Sequence, residues 1–452
     1  MPTNATLVAF RFGYGLPLPK ESPATPEAML AALAKPDPGP ALWPGITTAE
    51  AVLHMQFVEE ARRRGRKDDA AFRENADKIS ERSQELRAES LKVPVARALD
   101  SPDGFRERLV AFWANHFTVV SKTLRNTALP SAMVEDAIRP NLSGRFADLL
   151  VAVTLHPAML LYLNQDMSVG PESPVGKRSG RGLNENLARE VMELHTLGVG
   201  GGYSQDDVRQ LAELMTGLTV TSKDGFFFQE KWVEPGAETV LGVSYSGKGE
   251  EPVVRALEAL AVRPETADHI ARKLAVHFVS DDPDPGLVAA VSKAWKDSGG
   301  DLMAVYGALL AQPAAWAPQA SKVRQPMEFL VAALRGLGLT GADVMAMDRK
   351  TLSRTLVQPM QSMGQPWQQA PGPNGWPEQS EKWINPAHLA TRITWSMALP
   401  QKLVQPLPDP RVLTTAVLGD RADESIVLAV SRAESVREGV GLVLASPEFN
   451  RR

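Results

Sequence analysis

The chain has 452 residues, of which 44% are hydrophobic, and a formal net charge of −4. A chain of this length can bury a substantial core, and its charge argues against nucleic-acid binding, which usually needs a basic excess. The absence of cysteine excludes disulfides, thiolate nucleophiles and cysteine-ligated metals.

Helical periodicity dominates the sequence. Apolar residues recur at three- and four-residue spacing in most segments, which is the period of an amphipathic helix. The first half is predicted to form helices at 27–35, 47–64, 69–99, 103–117, 144–155, 184–197 and 204–217. The second half is predicted to form them at 251–261, 264–279, 286–298, 301–312, 326–337, 350–361, 385–398 and 423–446.

Evidence for strands is limited to one region. Phe226–Val233 and Thr239–Tyr245 favour strands, and we expect them to pair as one small hairpin. The predicted fold class is therefore mainly α, a large multi-helix globular body with at most a small β-hairpin. No repeat of solenoid period is present, so residues 1–452 are predicted to form a single helical domain.

Two segments are predicted to be irregular. The first is a loop-rich lead-in at 16–46, and the second is a long Pro- and Trp-rich loop at 358–383. Trp367, Trp376 and Trp383 argue against a free linker, because a solvated tether gains nothing from large apolar rings. Long loops in compact proteins are usually functional. We therefore expect this loop to pack over a pocket, with Trp376 as a candidate substrate-binding residue.

The stretch 183–203 places carboxylates, asparagines and a histidine on a short helix that glycines follow. On a helical wheel, Asn186, Glu190 and Glu193 fall within roughly 60° of one another. Paired carboxylates at this spacing are suited to binding a metal ion or sharing a proton. Glu190 and Glu193 are therefore candidate catalytic residues and metal ligands. Asn184 and Asn186 are candidate substrate-binding residues that would orient a ligand through hydrogen bonds.

His195 lies about 180° from Asn186 on the same wheel, so a regular helix cannot bring it to an ion held by the two glutamates. We expect it to line a separate buried polar contact with Asn184. A single site must then take a residue from elsewhere. His116 lies on the apolar face of the 103–117 helix and points inward, which makes it the candidate third metal ligand or general base.

The same residue types also occur on ordinary helices. Glu185–Arg189 and Arg189–Glu193 are i,i+4 pairs of the kind that stabilise a solvated helix face. Two interpretations remain open. The first is a metal-dependent hydrolase or oxidoreductase with a Glu/His site on the 184–197 helix and a divalent metal ion as cofactor. The second is a non-catalytic binding or assembly protein, in which the motif is a buried structural polar network.

Other signals are predicted to be structural. His156 precedes Pro157 at a helix start and is expected to cap or pack against that helix. The Gly-x-Gly-x-x-Gly match at 336–341 follows a helix rather than a strand, so it indicates a helix stop and not a dinucleotide site. His269 and His277, two turns apart on one helix, are typical of packing and surface positions.

Several segments together carry a family pattern, and they run in order along nearly the whole chain. They are Arg11–Gly15, Phe112–Phe117, His156–Leu163, 183–203, Leu214–Gly217, Lys273–Val279, Arg324–Glu328, Pro371–Trp376 and Ser446–Phe449. The chain resembles the bacterial family known only as domain of unknown function 1800. The resemblance implies a mainly helical protein and leaves its chemistry open.

The resemblance also bears on partners and location. Many members carry export signals and are encoded beside a protein similar to the alkaline phosphatase–sulfatase group, which implies a partner of that kind. This sequence begins without an export signal, and no apolar run approaches the roughly 20 residues that span a bilayer. The expected location is therefore cytoplasmic, with the periplasm as the alternative that the resemblance implies.

One loop departs from the family pattern. Relatives tend to read Trp-His-x-Pro-Gly-x-Lys, whereas this chain has Val233 in place of the histidine and Glu238 in place of the lysine. Relatives also tend to have tryptophan where Leu218 stands. If those side chains belong to a family site, this chain has altered or lost it.

Overall fold

The computed structural model describes residues 5–65, 69–318 and 322–452. In these ranges helices dominate, as the periodicity predicts. The longer ones are, in chain order, α1 (Pro26–Leu33), α2 (Thr48–Gly65), α3 (Asp69–Asp100), α4 (Gly104–His116), α5 (Phe146–Thr154), α6 (Gln205–Leu214), α7 (Glu251–Ala261), α8 (Pro264–Phe278), α9 (Pro285–Ser298), α10 (Leu302–Ala311), α11 (Pro326–Gly336), α12 (Pro386–Ala398), α13 (Pro410–Leu418), α14 (Glu424–Ser431) and α15 (Val436–Ala445).

Shorter helical segments lie between them. The α-helical ones are Ala5–Leu7, Gly39–Leu42, Leu129–Met133, Pro157–Tyr162, Pro174–Ser179, Asn186–Glu190, Gly341–Ala346, Arg349–Leu352, Gln358–Ser362, Pro400–Leu403 and Pro447–Asn450. The π-helical ones are Val8–Phe12, Val134–Ile138, Val191–His195 and Ser353–Val357. The 3₁₀ ones are Leu124–Asn126, Arg139–Asn141, Gln165–Met167, Glu230–Trp232, Pro313–Trp316, Ser380–Lys382 and Gly419–Arg421. The mainly α fold is confirmed. No helix in the described ranges is both long and apolar enough to cross a membrane.

Polar side chains fix where helices begin. Asp103 accepts a hydrogen bond from the Arg106 N–H at the start of α4, which satisfies a backbone donor that the helix itself cannot pair. His156 does the same for Pro157–Tyr162, since its Nδ1 accepts the Ala158 N–H at 3.1 Å. The predicted capping role of His156 is confirmed.

Two predicted helix ends have clear physical causes. The segment 423–446 holds two helices rather than one, because Ser435 caps α15 by accepting the Glu438 N–H. Gly336 ends α11, and Gly338 follows with a φ of +82°. The glycine-rich match is therefore a helix stop, as predicted.

The strands form two hairpins, so the predicted pairing of Phe226–Val233 with Thr239–Tyr245 is wrong. Strand β1 (Leu218–Thr221) pairs antiparallel with β2 (Gly225–Phe228), and β3 (Glu238–Val240) pairs with β4 (Val243–Tyr245). Leu241 and Gly242 both have positive φ between β3 and β4, and a two-residue turn of this kind closes a hairpin within the predicted second strand.

Buried apolar side chains form two main clusters. The first draws on α4–α10, and the second on α11–α15. Helix α3 contributes to both, since Leu86 belongs to the first cluster and Leu91 and Val95 to the second. The long helix therefore runs along the boundary between the clusters.

Helix α3 contains a proline at this boundary. Pro94 has no N–H to donate to the carbonyl of Ser90, four residues earlier. The interrupted turn faces an internal space rather than close-packed side chains, because Ser90 and Pro94 both line the cavity described below.

Candidate functional site

The stretch 183–203 does not form one regular helix. An α-helical segment covers Asn186–Glu190, and a π-helical turn continues it over Val191–His195. In a π-helix each backbone hydrogen bond joins residues five apart, so the turn is wider than the α-helical turn that the helical wheel assumes. The Thr196 hydroxyl donates to the Val191 carbonyl at 2.6 Å, which holds the wide turn at its end. Wheel angles therefore hold only up to Glu190.

The charged side chains of this stretch pair with one another. Arg189 lies 3.1 Å from Glu185 and 3.3 Å from Glu193, as the i,i+4 spacing predicts. The three side chains are between 27% and 36% exposed. Pairs this accessible contribute about 0.3–0.5 kcal/mol each, so they stabilise the helix without restraining it strongly.

Glu190 stands apart from these pairs. It is half-buried and has no hydrogen-bond partner among the described residues. Burial, together with the neighbouring Glu193 carboxylate, raises its pKa. Glu190 therefore holds a proton more readily than an ordinary surface glutamate.

His116 lies in the core and contacts the stretch through a backbone atom. Its side chain is buried, and its Nε2 lies 3.2 Å from the carbonyl oxygen of His195. Its ring centroid is 6.0 Å from that of His195 and 6.4 Å from that of His269. Burial, and then the charge of Lys273, lower the pKa of His116 well below its ordinary value, so the ring is neutral. Nε2–H then donates to the carbonyl, and Nδ1 has no partner among the described residues.

Asn184 and Asn186 act at the start of the helix. Asn184 Oδ1 accepts the Asn186 N–H at 2.9 Å, and its Nδ2 donates to the carbonyl of Asn164 at 3.0 Å. This side-chain turn ties the helix to the preceding loop. His195, which the wheel placed near Asn184, lies against His116 instead.

The predicted metal set is spread over two environments. His116 is in the core beside His195, whereas Glu193 is bound to Arg189 on a half-exposed face. In the described ranges, no group of three or more His, Asp or Glu side chains is arranged to hold a metal ion. A site formed by His116, Glu190 and Glu193 therefore stays a prediction.

A cavity of about 210 Å³ lies between α3, α4 and the Pro- and Trp-rich loop. Its wall is largely apolar and includes Val110 and Met133 of the first cluster and Met360 of the second. The cavity therefore lies where the two clusters meet. An apolar cavity of roughly 150 Å³ is already large enough to bind benzene.

The loop predicted at 358–383 begins later than expected, because Gln358–Ser362 is still helical. Its irregular part, 363–379, contributes one wall of the cavity through Gln365, Pro366, Trp367, Gln368, Ala370, Trp376 and Glu378. Asn115, at the end of α4, donates to the Trp376 carbonyl at 3.1 Å and accepts its N–H at 2.7 Å. Trp376, selected from the sequence as a ligand contact, thus lies in the cavity wall.

A charged network forms part of the wall. Arg108 donates to Nε2 of His277 at 3.0 Å and also bonds Glu328, which accepts from Arg452 at 2.8 Å. Because arginine can only donate, Nε2 accepts and Nδ1–H donates to Glu378 at 2.7 Å. Burial lowers the pKa of His277 to about 4, so the ring is neutral. Both ring nitrogens are occupied, and His277 is not free to act as a general base.

Sequence reasoning missed this network and interpreted His277 as a packing residue. Its members are far apart in the chain: His277 and Glu378 are 101 positions apart, and Glu328 and Arg452 are 124. No local spacing connects them. The available signal was that Lys273–Val279 and Arg324–Glu328, which contain His277 and Glu328, both belong to the family pattern.

Glu238, where the sequence leads us to expect a departure from the family pattern, forms a carboxyl pair. Glu238 and Glu213 are both buried and share a hydrogen bond. Burial, and then the charges of Glu213 and Glu234, raise the pKa of Glu238 to about 7. A lysine at this position would form an ion pair with Glu213 instead.

These features define a mainly helical protein with a cavity to which a long loop contributes one wall. A family model described as protein of unknown function (DUF1800) matches residues 11–451, so the chain belongs to that family. The resemblance noted in the sequence is confirmed. Comparison with curated proteins and with solved structures found no match.

Proposed function

We propose that this protein binds a small, largely apolar organic molecule in the cavity between α3, α4 and the loop 363–379. The observation that carries the proposal is an apolar-walled space of about 210 Å³ at the boundary of two hydrophobic clusters. Protein interiors are close-packed and leave few voids larger than a water molecule. A space of this size with a few polar groups in its wall is typical of ligand sites.

The wall is held in place by hydrogen bonds from several directions. Trp367 Nε1 donates to Ser90 Oγ of α3 at 2.9 Å, and Gln368 donates to Ser131 at 2.8 Å. Asn115 holds Trp376 by two bonds. A wall ordered before the ligand arrives reduces the entropy lost on binding.

This proposal develops the binding interpretation of the sequence and places the site in the cavity. The 183–203 stretch then has a structural role, in which Asn184 fixes the helix start and His116 satisfies the His195 carbonyl. The metal-dependent alternative has its own test. A stoichiometric divalent metal in purified protein, with a lower melting temperature after chelation, would favour it.

Filling the cavity tests the proposal. Ala111 lies on α4 and lines the cavity, so Ala111→Phe would occupy the space that a ligand needs. Thermal unfolding is followed with apolar aromatic probes such as benzene and phenethyl alcohol. At a hundred times its dissociation constant a probe stabilises the wild type by about 2.7 kcal/mol. We expect that gain in wild type and not in Ala111→Phe.

The same substitution on an exposed helix face is the control. Ala289 is exposed on α9, so Ala289→Phe should keep the full response to the probes. The proposal is wrong if no probe stabilises the wild type, or if Ala111→Phe responds as strongly as Ala289→Phe.

A further inference from the structure

The cavity wall carries more acidic than basic side chains. Each wall arginine is paired with a wall glutamate: Arg97 with Glu135, Arg139 with Glu107 and Arg108 with Glu328. Two further glutamates of the described wall, Glu89 and Glu378, are left over. Glu378 accepts from His277, and the charges of Lys322 and Arg452 stabilise its ionised form, although Lys322 also bonds Asp281.

Glu89 is the unbalanced charge. It is half-buried on α3 and has no hydrogen bond or ion pair with any described residue. Burial, and then the charge of Glu50, raise its pKa. Arg82, the cation that acts on it, is itself paired with Glu85 at 3.0 Å. A half-buried carboxylate of this kind is stabilised when a cation comes to it.

An aromatic ring is fixed to the residue that follows this carboxylate in the chain. Trp367 Nε1 donates to the hydroxyl of Ser90, the residue that follows Glu89 in α3. The indole therefore lies at the helical turn that carries the charge, and both side chains line the cavity. The face of a tryptophan ring attracts cations, and it does so more strongly where water is partly excluded.

We propose that the ligand of this cavity is an organic cation, with its ammonium group against Glu89 and the ring of Trp367. Its apolar part then fills the space lined by Val93, Val110 and Met133. The inference rests on the proposed function, because it names the class of molecule that the cavity takes. A ligand carrying a carboxylate would meet Glu89 with like charge and is rejected.

Three probes of similar shape and different charge test this inference. Phenethylamine is the cation, phenethyl alcohol is the neutral analogue and phenylacetate is the anion. Calorimetric titration of the wild-type protein at low ionic strength measures their dissociation constants. We expect phenethylamine to bind about tenfold more tightly than phenethyl alcohol, and phenylacetate not to bind.

Variants at one position separate charge from shape. Glu89→Gln keeps the size of the side chain and removes its charge, so the preference for the amine should fall by about tenfold while binding of the alcohol is unchanged. Glu81→Gln is the matched control, since Glu81 lies two turns earlier on α3, is exposed and does not line the cavity. It should leave all three affinities unchanged.

The outcomes distinguish this inference from the proposed function. If alcohol and amine bind equally well, or Glu89→Gln leaves their ratio unchanged, the inference is wrong and the cavity remains a site for neutral apolar molecules. Preferential binding of phenylacetate also overturns it. If none of the probes binds wild type, both the inference and the proposed function are wrong.

Discussion

Lys273 shows the cost of placing a single charge in the protein interior. It is half-buried in α8 near His116, His195 and His269, and it has no hydrogen bond or ion pair among the described residues. Burial lowers its pKa to about 8, and the Glu378 carboxylate offsets this only in part. The charged amine therefore destabilises the fold at neutral pH.

Lys273→Met should raise the free energy of unfolding at pH 7, by about 1 kcal/mol. Because the folded pKa is below the unfolded value of 10.5, the penalty is full below pH 8 and disappears above 10.5. The advantage of methionine should therefore shrink between pH 8 and 10.5 in urea denaturation. Lys322→Met should be destabilising instead, since Lys322 bonds Asp281 at 2.5 Å. Equal effects of the two substitutions would contradict the argument.

Glu238 should make the free energy of unfolding depend on pH. Its folded pKa of about 7 is above the ordinary value of 4.5, so its contribution to stability is full below pH 4.5 and is lost as the pH rises through 7. Glu238→Gln should therefore be more stable than the wild type at pH 8.5 by about 2 kcal/mol, because the amide still donates to Glu213. The difference should vanish near pH 5. Glu258→Gln, at an exposed position of α7, should show no such crossover in thermal melts.

At this scale the sequence indicates some residues of the cavity wall and not others. Trp376 was recognisable because a large ring in a proline-rich loop must pack somewhere. Glu89 was not, because its long polar helix carries many carboxylates at helical spacing. What distinguishes Glu89 is a cavity built largely from other elements and, among the described residues, the lack of a cation paired with it. Neither property is local in sequence.

The element that departs most from sequence reasoning is the 184–197 helix. Its position was predicted correctly from the apolar spacing of Leu187, Val191 and Leu194. The π-helical turn at Val191–His195 has no signature in that spacing, because side-chain pattern does not specify which carbonyl each N–H meets. Periodicity therefore located the helix but could not assign its faces.

The loop 363–379 depends on one glycine. Gly375 has a φ of +75°, and an added methyl group would collide with the Asn115 carbonyl and lie 2.8 Å from the Thr118 hydroxyl. Gly375→Ala should destabilise the protein by about 1–3 kcal/mol and weaken binding of the aromatic probes. Gly182→Ala, where φ is not left-handed and the space is open, should do neither. Denaturation measures the stability of both variants, and titration measures their binding of the probes. If the two variants behaved alike, the role of Gly375 in ordering this loop would be contradicted.

Across the whole molecule, charged side chains join the two hydrophobic clusters. The Arg108–Glu328 pair links α4 of the first cluster to α11 of the second, and Arg452 adds a third point of attachment. Buried pairs of this kind require both partners, since removing one leaves an uncompensated charge. The boundary between the clusters therefore combines apolar side chains with charged pairs that also line the cavity.

The periodicity of the sequence predicted the helical fold class, but it did not predict the boundary between the two hydrophobic clusters. Periodicity along α3 shows that one face is apolar without showing that Leu86 and Leu91 belong to different clusters. Similarly, the chain forms two hairpins where one was expected. A turn residue with positive φ, such as Leu241, is not distinguished by the spacing of apolar residues. Long-range contacts decide such features, and a single sequence does not contain them explicitly.

The position of the cavity at this boundary has a volumetric consequence. Hydrostatic pressure favours the state of smaller volume, and unfolding eliminates internal voids. A void where two clusters meet makes their separation the step with the largest decrease in volume. The wild type should therefore unfold at lower pressure than Ala111→Phe, and a bound molecule should raise its midpoint, both measurable by tryptophan fluorescence under compression. Equal pressure midpoints would mean that water already fills the space.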